Sequence, residues 1–424
     1  MNHVLGLKCL ICGEQYAPSE VDYVCPKHGN DGILDVVYDY GAINREIGKF
    51  GSGGGIWRYQ ALLPVRPDSP VPPLAVGDTP LYPASRLAAG LGLRHLWVKD
   101  DGRQPSASFK DRASAVAVVK AQEKGAEIIA TASTGNAAAA LACICASVEQ
   151  PNVIFVPASA PPAKIAQLLV FGSTVLLVDG SYDDAFELCL KACQEFGWYN
   201  RNTAYNPYMT EGKKTVVYEI CQQLGNTPPQ SPPHAGGNNW VAPDVVVVPV
   251  GDGCIIGGIH KGFKDLLALG WIESIPRIIG VQSAGSDYMW QAWSQGQDVL
   301  TKPPIVANTV ADSISAGLPR DRIKAMAAVQ ETGGAYVRVT DEEILAAIPV
   351  LARGVGVFAE PAAAASYAGL VAAVKQGLVT AEDRVVILAT GSGLKDIKSA
   401  MRSVGQPHHV APNLAEVKKV LGEE

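Results

Sequence analysis

The chain has 424 residues, 48% hydrophobic and only 18% charged, a balance that excludes an intrinsically disordered protein and predicts a large buried core. A formal net charge of −6 leaves no basic footprint for nucleic acid or an anionic membrane surface. The longest nearly apolar stretch, 137–148, falls short of the roughly 18 residues a membrane span needs, and residues 1–13 lack signal-peptide order, so the expected location is cytoplasmic.

Residues 1–40 stand apart, poor in helical pattern and carrying Cys9-x2-Cys12 and Cys25-x2-His28. Two close pairs separated by a dozen residues have zinc-ribbon spacing. Three thiolates and one imidazole would close a tetrahedral shell, so the predicted metal is a structural zinc. The other cysteines, Cys143, Cys145, Cys189, Cys193, Cys221 and Cys254, lie in apolar segments and read as buried small hydrophobes. Residues 41–80 are rich in Gly and Pro and predict irregular chain with short strands.

From about residue 90 a repeating pattern begins. It predicts strands over 96–99, 128–132, 153–156 and 175–178. Helices are predicted over 114–124 (ending at Gly125), 136–147, 163–171 (ending at Gly172) and 183–196. After a Pro-, Gly- and Asn-rich insert at 226–239, expected as an exposed loop, the pattern resumes. It gives a strand over 244–250, a glycine loop, a helix over 259–268 and a strand over 278–282. Helices near 341–353 and 361–375 and a strand over 385–390 follow. Short apolar runs alternating with helices predict parallel sheets of βαβ units. The fold class is α/β: two open, mostly parallel domains with a ligand cleft between them, beyond the carboxyl ends of the strands. The expected division is a ribbon-like segment at 1–40, a smaller domain at 109–217, a larger one from 41–108 plus 218–405, and a tail helix within 406–424.

Four segments at strand–helix junctions carry chemistry. In Ser106-Ala107-Ser108-Phe109-Lys110-Asp111-Arg112, a lysine beside Phe109 and small residues opens a helix. A helix start disfavours a surface cation and lowers an amine's pKa toward that of a nucleophile. Ala132-Ser133-Thr134-Gly135-Asn136 brings hydroxyls and free N–H groups together, either as an anion site or as an ordinary cap and turn. In Val250-Gly251-Asp252-Gly253-Cys254-Ile255-Ile256-Gly257-Gly258 the glycines let the backbone close on a phosphate. Asp252 must then point away or contact a backbone group. Ala389-Thr390-Gly391-Ser392-Gly393-Leu394-Lys395-Asp396 puts a hydroxyl at a strand's carboxyl end, facing the cleft or capping another turn.

In this order the four segments resemble the threonine synthase family, within the fold type II pyridoxal-phosphate (PLP) enzymes. Asn206-Pro207-Tyr208, Glu211-Gly212-Lys213-Lys214-Thr215 and Phe358-Ala359-Glu360-Pro361-Ala362 fit the same likeness. The resemblance implies that Lys110, next to Phe109, holds PLP as a Schiff base and shuttles protons. Ser133, Thr134 and Asn136 would bind the substrate carboxylate and the ring hydroxyl. Gly251, Asp252, Gly253, Cys254 and Ile255 would cradle the cofactor phosphate, and Thr390 would face the pyridine nitrogen. A neutral hydroxyl there does not hold the nitrogen protonated, which suits elimination and replacement over transamination. Relatives often carry four cysteines in the N-terminal cluster; His28 is the departure here.

The substrate run departs further. The family reads Asn-Ser-x-Asn-Pro-x-Arg, with Ser and Arg on the substrate phosphate. This chain has Thr203-Ala204-Tyr205-Asn206-Pro207-Tyr208-Met209, so Ala204 and Met209 stand at substrate-binding positions. An arginine fork binds phosphate bidentately and a thioether cannot. Lys213 or Lys214 could serve as a point charge; otherwise both read as a solvated helix face. The expected reaction is O-phosphohomoserine plus water to L-threonine and phosphate. The alternative is β-elimination or β-replacement on a less charged amino acid such as serine or threonine. An idle paralogue is opposed by the presence of Lys110 and Thr390. A small amino-acid substrate and a homodimer are expected, with neither nucleic acid nor membrane as partner.

Overall fold

Valine- and isoleucine-rich runs buried on both faces form the strands of the body. The computed structural model describes residues 3–45, 53–133, 135–160, 162–226 and 240–422. An antiparallel ribbon comes first, with β1 (Val4–Cys9), β2 (Gln15–Tyr16) and β3 (Leu34–Tyr38) in the order β2-β1-β3. Then follow β4 (Leu81–Pro83), β5 (His95–Asp100), β6 (Ile129–Ala132), β7 (Asn152–Pro157), β8 (Thr174–Val178) and β9 (Tyr199–Asn200). The last four are β10 (Val245–Pro249), β11 (Arg277–Ser283), β12 (Ala335–Val339) and β13 (Arg384–Ala389).

One open sheet has the order β12-β11-β10-β13-β5-β4, parallel except where β4 runs against β5. The second, β8-β7-β6-β9, is wholly parallel. Two open, mostly parallel α/β layers behind a small ribbon are thus the observed architecture. Every residue of β10, Val-Val-Val-Val-Pro, is buried, as a parallel strand covered on both faces requires. Among the described residues no helix is long and apolar enough to cross a membrane.

Helix Lys110–Glu123 packs against helices Asn136–Ala146 and Tyr208–Lys213. Gly212 makes the second contact possible: a Cβ there would lie 2.1 Å from the carbonyl oxygen of Arg112. The six scattered cysteines are all buried, as expected. The tail ends in an exposed helix, Leu414–Leu421.

Two local expectations are corrected. Within 41–80 the described chain has no strand. It carries a 3-10 helix, Gly55–Leu62, whose Ile56, Trp57, Tyr59 and Leu62 are buried in the core. That helix starts at Gly55 with φ +62°, where a Cβ would strike the Val76 carbonyl at 2.0 Å. The helix expected over 259–268 begins at Cys254, so Gly257 and Gly258 lie inside it and not in a loop. Their missing side chains admit close neighbours: a Cβ on either would come 2.8 Å from the Cβ of Lys324 or Lys213. The insert at 226–239 lies, beyond Asn226, outside the described residues.

The ribbon is docked on the body by polar contacts. Lys261 donates to Asp35 at 2.7 Å and to the Val36 carbonyl at 2.6 Å, and the Tyr38 hydroxyl donates to Glu211 at 2.7 Å. Leu10 and Ile33 of the ribbon form a small apolar cluster with Ala204 and Cys254. The ribbon therefore braces the first residue of the helix that follows the glycine loop.

Candidate active site

The lysine segment is locked to the last strand's end by backbone pairing. Phe109 donates its N–H to the Thr390 carbonyl at 2.9 Å, and Ser108 and Gly391 form an antiparallel bridge. Lys110 is then the first residue of its helix. Burial lowers its pKa, so the amine is easier to deprotonate than an exposed lysine. The next two residues hold the segment in place. Asp111 accepts from the Ser106 backbone at 2.6 Å and from the Ser106 hydroxyl. Arg112 turns inward to Asp101 and Glu219, at 2.6 Å each.

Lys110 lines a cavity of about 580 Å³ together with Thr131, Ser133, Asn136, Arg201 and Asp252. Ser133 and Asn136 come from the turn after β6, where the Ser133 hydroxyl accepts from the Gly135 N–H at 3.2 Å. Thr134 lies outside the described residues. Asn136 donates to Glu360 at 2.7 Å and to the Ser313 hydroxyl at 3.3 Å. Glu360 belongs to the Phe-Ala-Glu-Pro-Ala run but was not picked out as a site residue. Burial holds its carboxyl up at about 7. It also braces the Thr390 loop, donating its own N–H to the Gly391 carbonyl at 3.0 Å.

The glycine loop is built for close approach. Gly253 has φ +90°, and a Cβ on Gly251 would lie 2.7 Å from the Ile314 Cα. Cys254 and Ile255 open the helix, so their N–H groups have no intrahelical acceptor and face outward. The Asp252 carbonyl accepts from Asp321 N–H at 2.8 Å, while its carboxylate meets a backbone group only at long range, the Arg320 N–H at 3.5 Å. Thr390 is buried, and its hydroxyl makes no hydrogen bond among the described residues. An amine on the cavity wall, a glycine-flanked loop at a helix start and a free hydroxyl at a strand end together fit PLP. Lys110, Gly251–Ile255 and Thr390 would hold it.

The substrate run is placed differently. Met209 is 1% exposed, in the main core. Ala204, with φ +67°, packs in the Leu10 and Ile33 cluster. Neither lines the cavity. The solvated face expected of Lys213 and Lys214 is overturned: both are fully buried, because their helix is wedged between two others. Lys214 is paired at 2.7 Å with both Glu211 and Asp265. Among the described residues Lys213 bonds only the Met209 carbonyl, at 3.1 Å. Arg201, just beyond β9, is fully buried and reaches the cavity. Sequence reasoning passed over it because a two-residue strand leaves no periodic signal.

The four N-terminal ligand atoms all lie within 4.8 Å of one another. Cys25 and Cys9 sulfurs stand 3.4 and 3.7 Å from His28 Nδ1, and Cys12 and Cys25 sulfurs 4.0 Å apart. Zinc–sulfur bonds of about 2.3 Å give tetrahedral edges of about 3.8 Å, so the set fits a zinc ion.

Comparison with known proteins agrees with this geometry. Residues 73–391 match the pyridoxal-phosphate dependent enzyme family. The chain is 35% identical over 421 residues to threonine synthase of Methanocaldococcus jannaschii, covering 98% of this chain and 99% of that protein. It is 39% identical over 417 residues to threonine synthase of Methanosarcina acetivorans, covering 98% of each. Among solved structures, processed threonine deaminase isoform 2 from Solanum lycopersicum superposes with a TM-score of 0.64 at 22% identity, covering 83% of this chain and 95% of that one. Maize serine racemase gives 0.60 at 22%, covering 77% and 91%. These two share the fold. With a half-buried lysine, a glycine loop and a strand-end threonine placed as described, the chain belongs to the threonine synthase family of fold type II PLP enzymes.

Proposed function

We propose that the chain is a threonine synthase, converting O-phosphohomoserine and water to L-threonine and phosphate. The observation that carries this is near-complete alignment with proteins of that name, with Lys110 on the wall of a cavity that Asp252 of the glycine loop also lines. PLP, when bound, supplies an electron sink that stabilises negative charge on the substrate carbons. The chain's own groups do the rest. Lys110 takes and returns protons at those carbons, helped by the burial that lowers its pKa. Ser133, Thr134 and Asn136 hold the α-carboxylate, with Glu360 orienting the Asn136 amide. Thr390, a neutral hydroxyl, would not hold the ring nitrogen protonated, which would favour elimination and replacement. A structural zinc on Cys9, Cys12, Cys25 and His28 steadies the ribbon against Cys254.

The second reading is elimination from a less charged amino acid, and it rests only on the sequence departure at 204 and 209, since neither residue lines the cavity. Assaying phosphate release from O-phosphohomoserine beside ammonia and keto-acid release from serine and threonine separates the two. Phosphate release dominates if the proposal holds. Ammonia release alone overturns it.

A further inference from the structure

We propose that a second cavity, divided from the first by Asn136 and Ser313, is a regulatory site for a small neutral α-amino acid. The cavity has a volume of about 330 Å³, at the lower end of the range for small-molecule sites. Asn136 and Ser313 line both cavities and are joined by a hydrogen bond of 3.3 Å, so they form the partition. Lys110 and Ser133 line only the first cavity, and Glu360 and Lys395 only the second.

The charged groups of this cavity are of two kinds. Three are engaged. Lys164, from helix Pro162–Val170, is paired with Asp312. Asp396 caps helix Ile397–Arg402, accepting from the Ser399 N–H at 3.0 Å. Two are unanswered. The half-buried Lys395 donates to the Ser106 carbonyl at 2.8 Å and forms no ion pair among the described residues. Two of its three N–H groups remain. Glu360 is 4% exposed, and one of its oxygens accepts from Asn136 at 2.7 Å. Its other oxygen accepts no hydrogen bond among the described residues. The amine and the carboxylate attract each other across the cavity without meeting.

A cation and a carboxylate that line one cavity and stay unpaired are unfavourable until something bridges them. An α-amino acid answers both: its carboxylate accepts from Lys395 and its ammonium donates to Glu360, each bond charge-assisted. A simple anion or a simple cation answers only one of the two. The rest of the wall includes Ala107, Ala139 and Leu394, which suits a short aliphatic side chain. Glu360 couples the two cavities. The ligand's ammonium draws on the carboxylate that orients the Asn136 amide, and Asn136 lines the cavity of Lys110. Occupancy therefore loosens a group of the catalytic cleft and lowers turnover.

The test uses holoenzyme whose cofactor has been fixed with borohydride, so that an added amino acid cannot displace the lysine. L-Alanine and L-valine are titrated into it by calorimetry. Saturable binding is expected, with isovalerate and isobutylamine, which carry one charge each, at least about tenfold weaker than L-valine. Lys395→Met and Glu360→Gln are each expected to weaken L-valine about ten- to a hundredfold, and Ser133→Ala to leave its binding unchanged. Lys395 also holds Ser106 in the lysine segment, so Gln167→Trp, which fills the cavity from a half-buried helix position, serves as a second variant and is expected to abolish binding. Binding of neither amino acid overturns the proposal. So does binding that isovalerate matches, or that Ser133→Ala removes and Gln167→Trp leaves. With unmodified holoenzyme and O-phosphohomoserine, L-valine is expected to lower kcat severalfold in wild type and not in Gln167→Trp. Binding with no change in kcat overturns the regulatory role. The calorimetric arm uses no O-phosphohomoserine, so failure of the threonine synthase reading leaves it standing.

Discussion

Two clusters of charge meet at the start of helix Lys110–Glu123, and they are resolved in opposite ways. In the first, Arg112 donates to Asp101 at 2.6 and 3.0 Å and to Glu219 at 2.6 and 2.8 Å. Lys99 donates to the same Glu219 at 2.7 Å. Two cations meet two carboxylates, and all four are fully or almost fully buried. In the second, Lys110, Arg201 and Lys213 have no ion pair among the described residues. The first cluster contributes to holding the fold. The second has no such partners, and two of its members, Lys110 and Arg201, line the cavity.

The comparison breaks first at Lys110. Lys110→Ala is expected to lose at least about 10³-fold in rate, as when a covalent catalyst is removed, with the melting temperature little changed. Borohydride-fixed cofactor should map to Lys110 in wild type; mapping elsewhere would undo the site. Arg112→Leu should show the reverse. It strands the buried Asp101 and leaves Glu219 with Lys99 alone, and is expected to cost about 3–5 kcal/mol in urea unfolding. A loss below about 1 kcal/mol would mean that the first cluster is not the structural one.

The adjacent lysines sharpen the contrast within one helix turn. Lys214→Met removes the partner of Glu211 and Asp265 and is expected to destabilise the protein by several kcal/mol. Lys213→Met removes an unpaired buried amine and is expected to raise the melting temperature of cofactor-free protein at neutral pH. If both changes destabilise equally, Lys213 is paired too.

The smallest expected effect is on pH dependence. Glu360, held up at about 7 in the fold, binds its proton more tightly there than in the unfolded chain. Its contribution is present below the ordinary glutamate range and is lost as pH rises through about 7. Lys213, held down at about 7, carries a penalty that is lifted as pH rises above 7. Glu219 differs: burial opposes its ionisation, but Arg112 and Lys99 hold it well below the ordinary range, so it adds slope only in acid. Glu360→Gln should flatten the stability profile between about pH 4.5 and 7 and leave the acid limb unchanged.

What the sequence by itself determined is what depends on neighbours along the chain. Alternating apolar runs and helix-length segments specified parallel sheets, because a strand flanked by helices must be apolar on both faces. The spacing of Cys9, Cys12, Cys25 and His28, and the small residues around Lys110 and Gly251, are local signals as well. Helix starts were less legible: Gly257 and Gly258 look like a loop until Lys213 and Lys324 are packed against them. Charge pairing was not legible at all. Arg112, Arg201, Lys213 and Lys214 are all basic residues in polar-looking segments. Arg112 finds Glu219 only 107 positions away. Whether a cation is answered depends on which carboxylates the packed interior brings within about 4 Å, the reach of a hydrogen-bonded ion pair. Tertiary structure alone decided that Lys214 is a strut and that Arg201 stands open to the cavity.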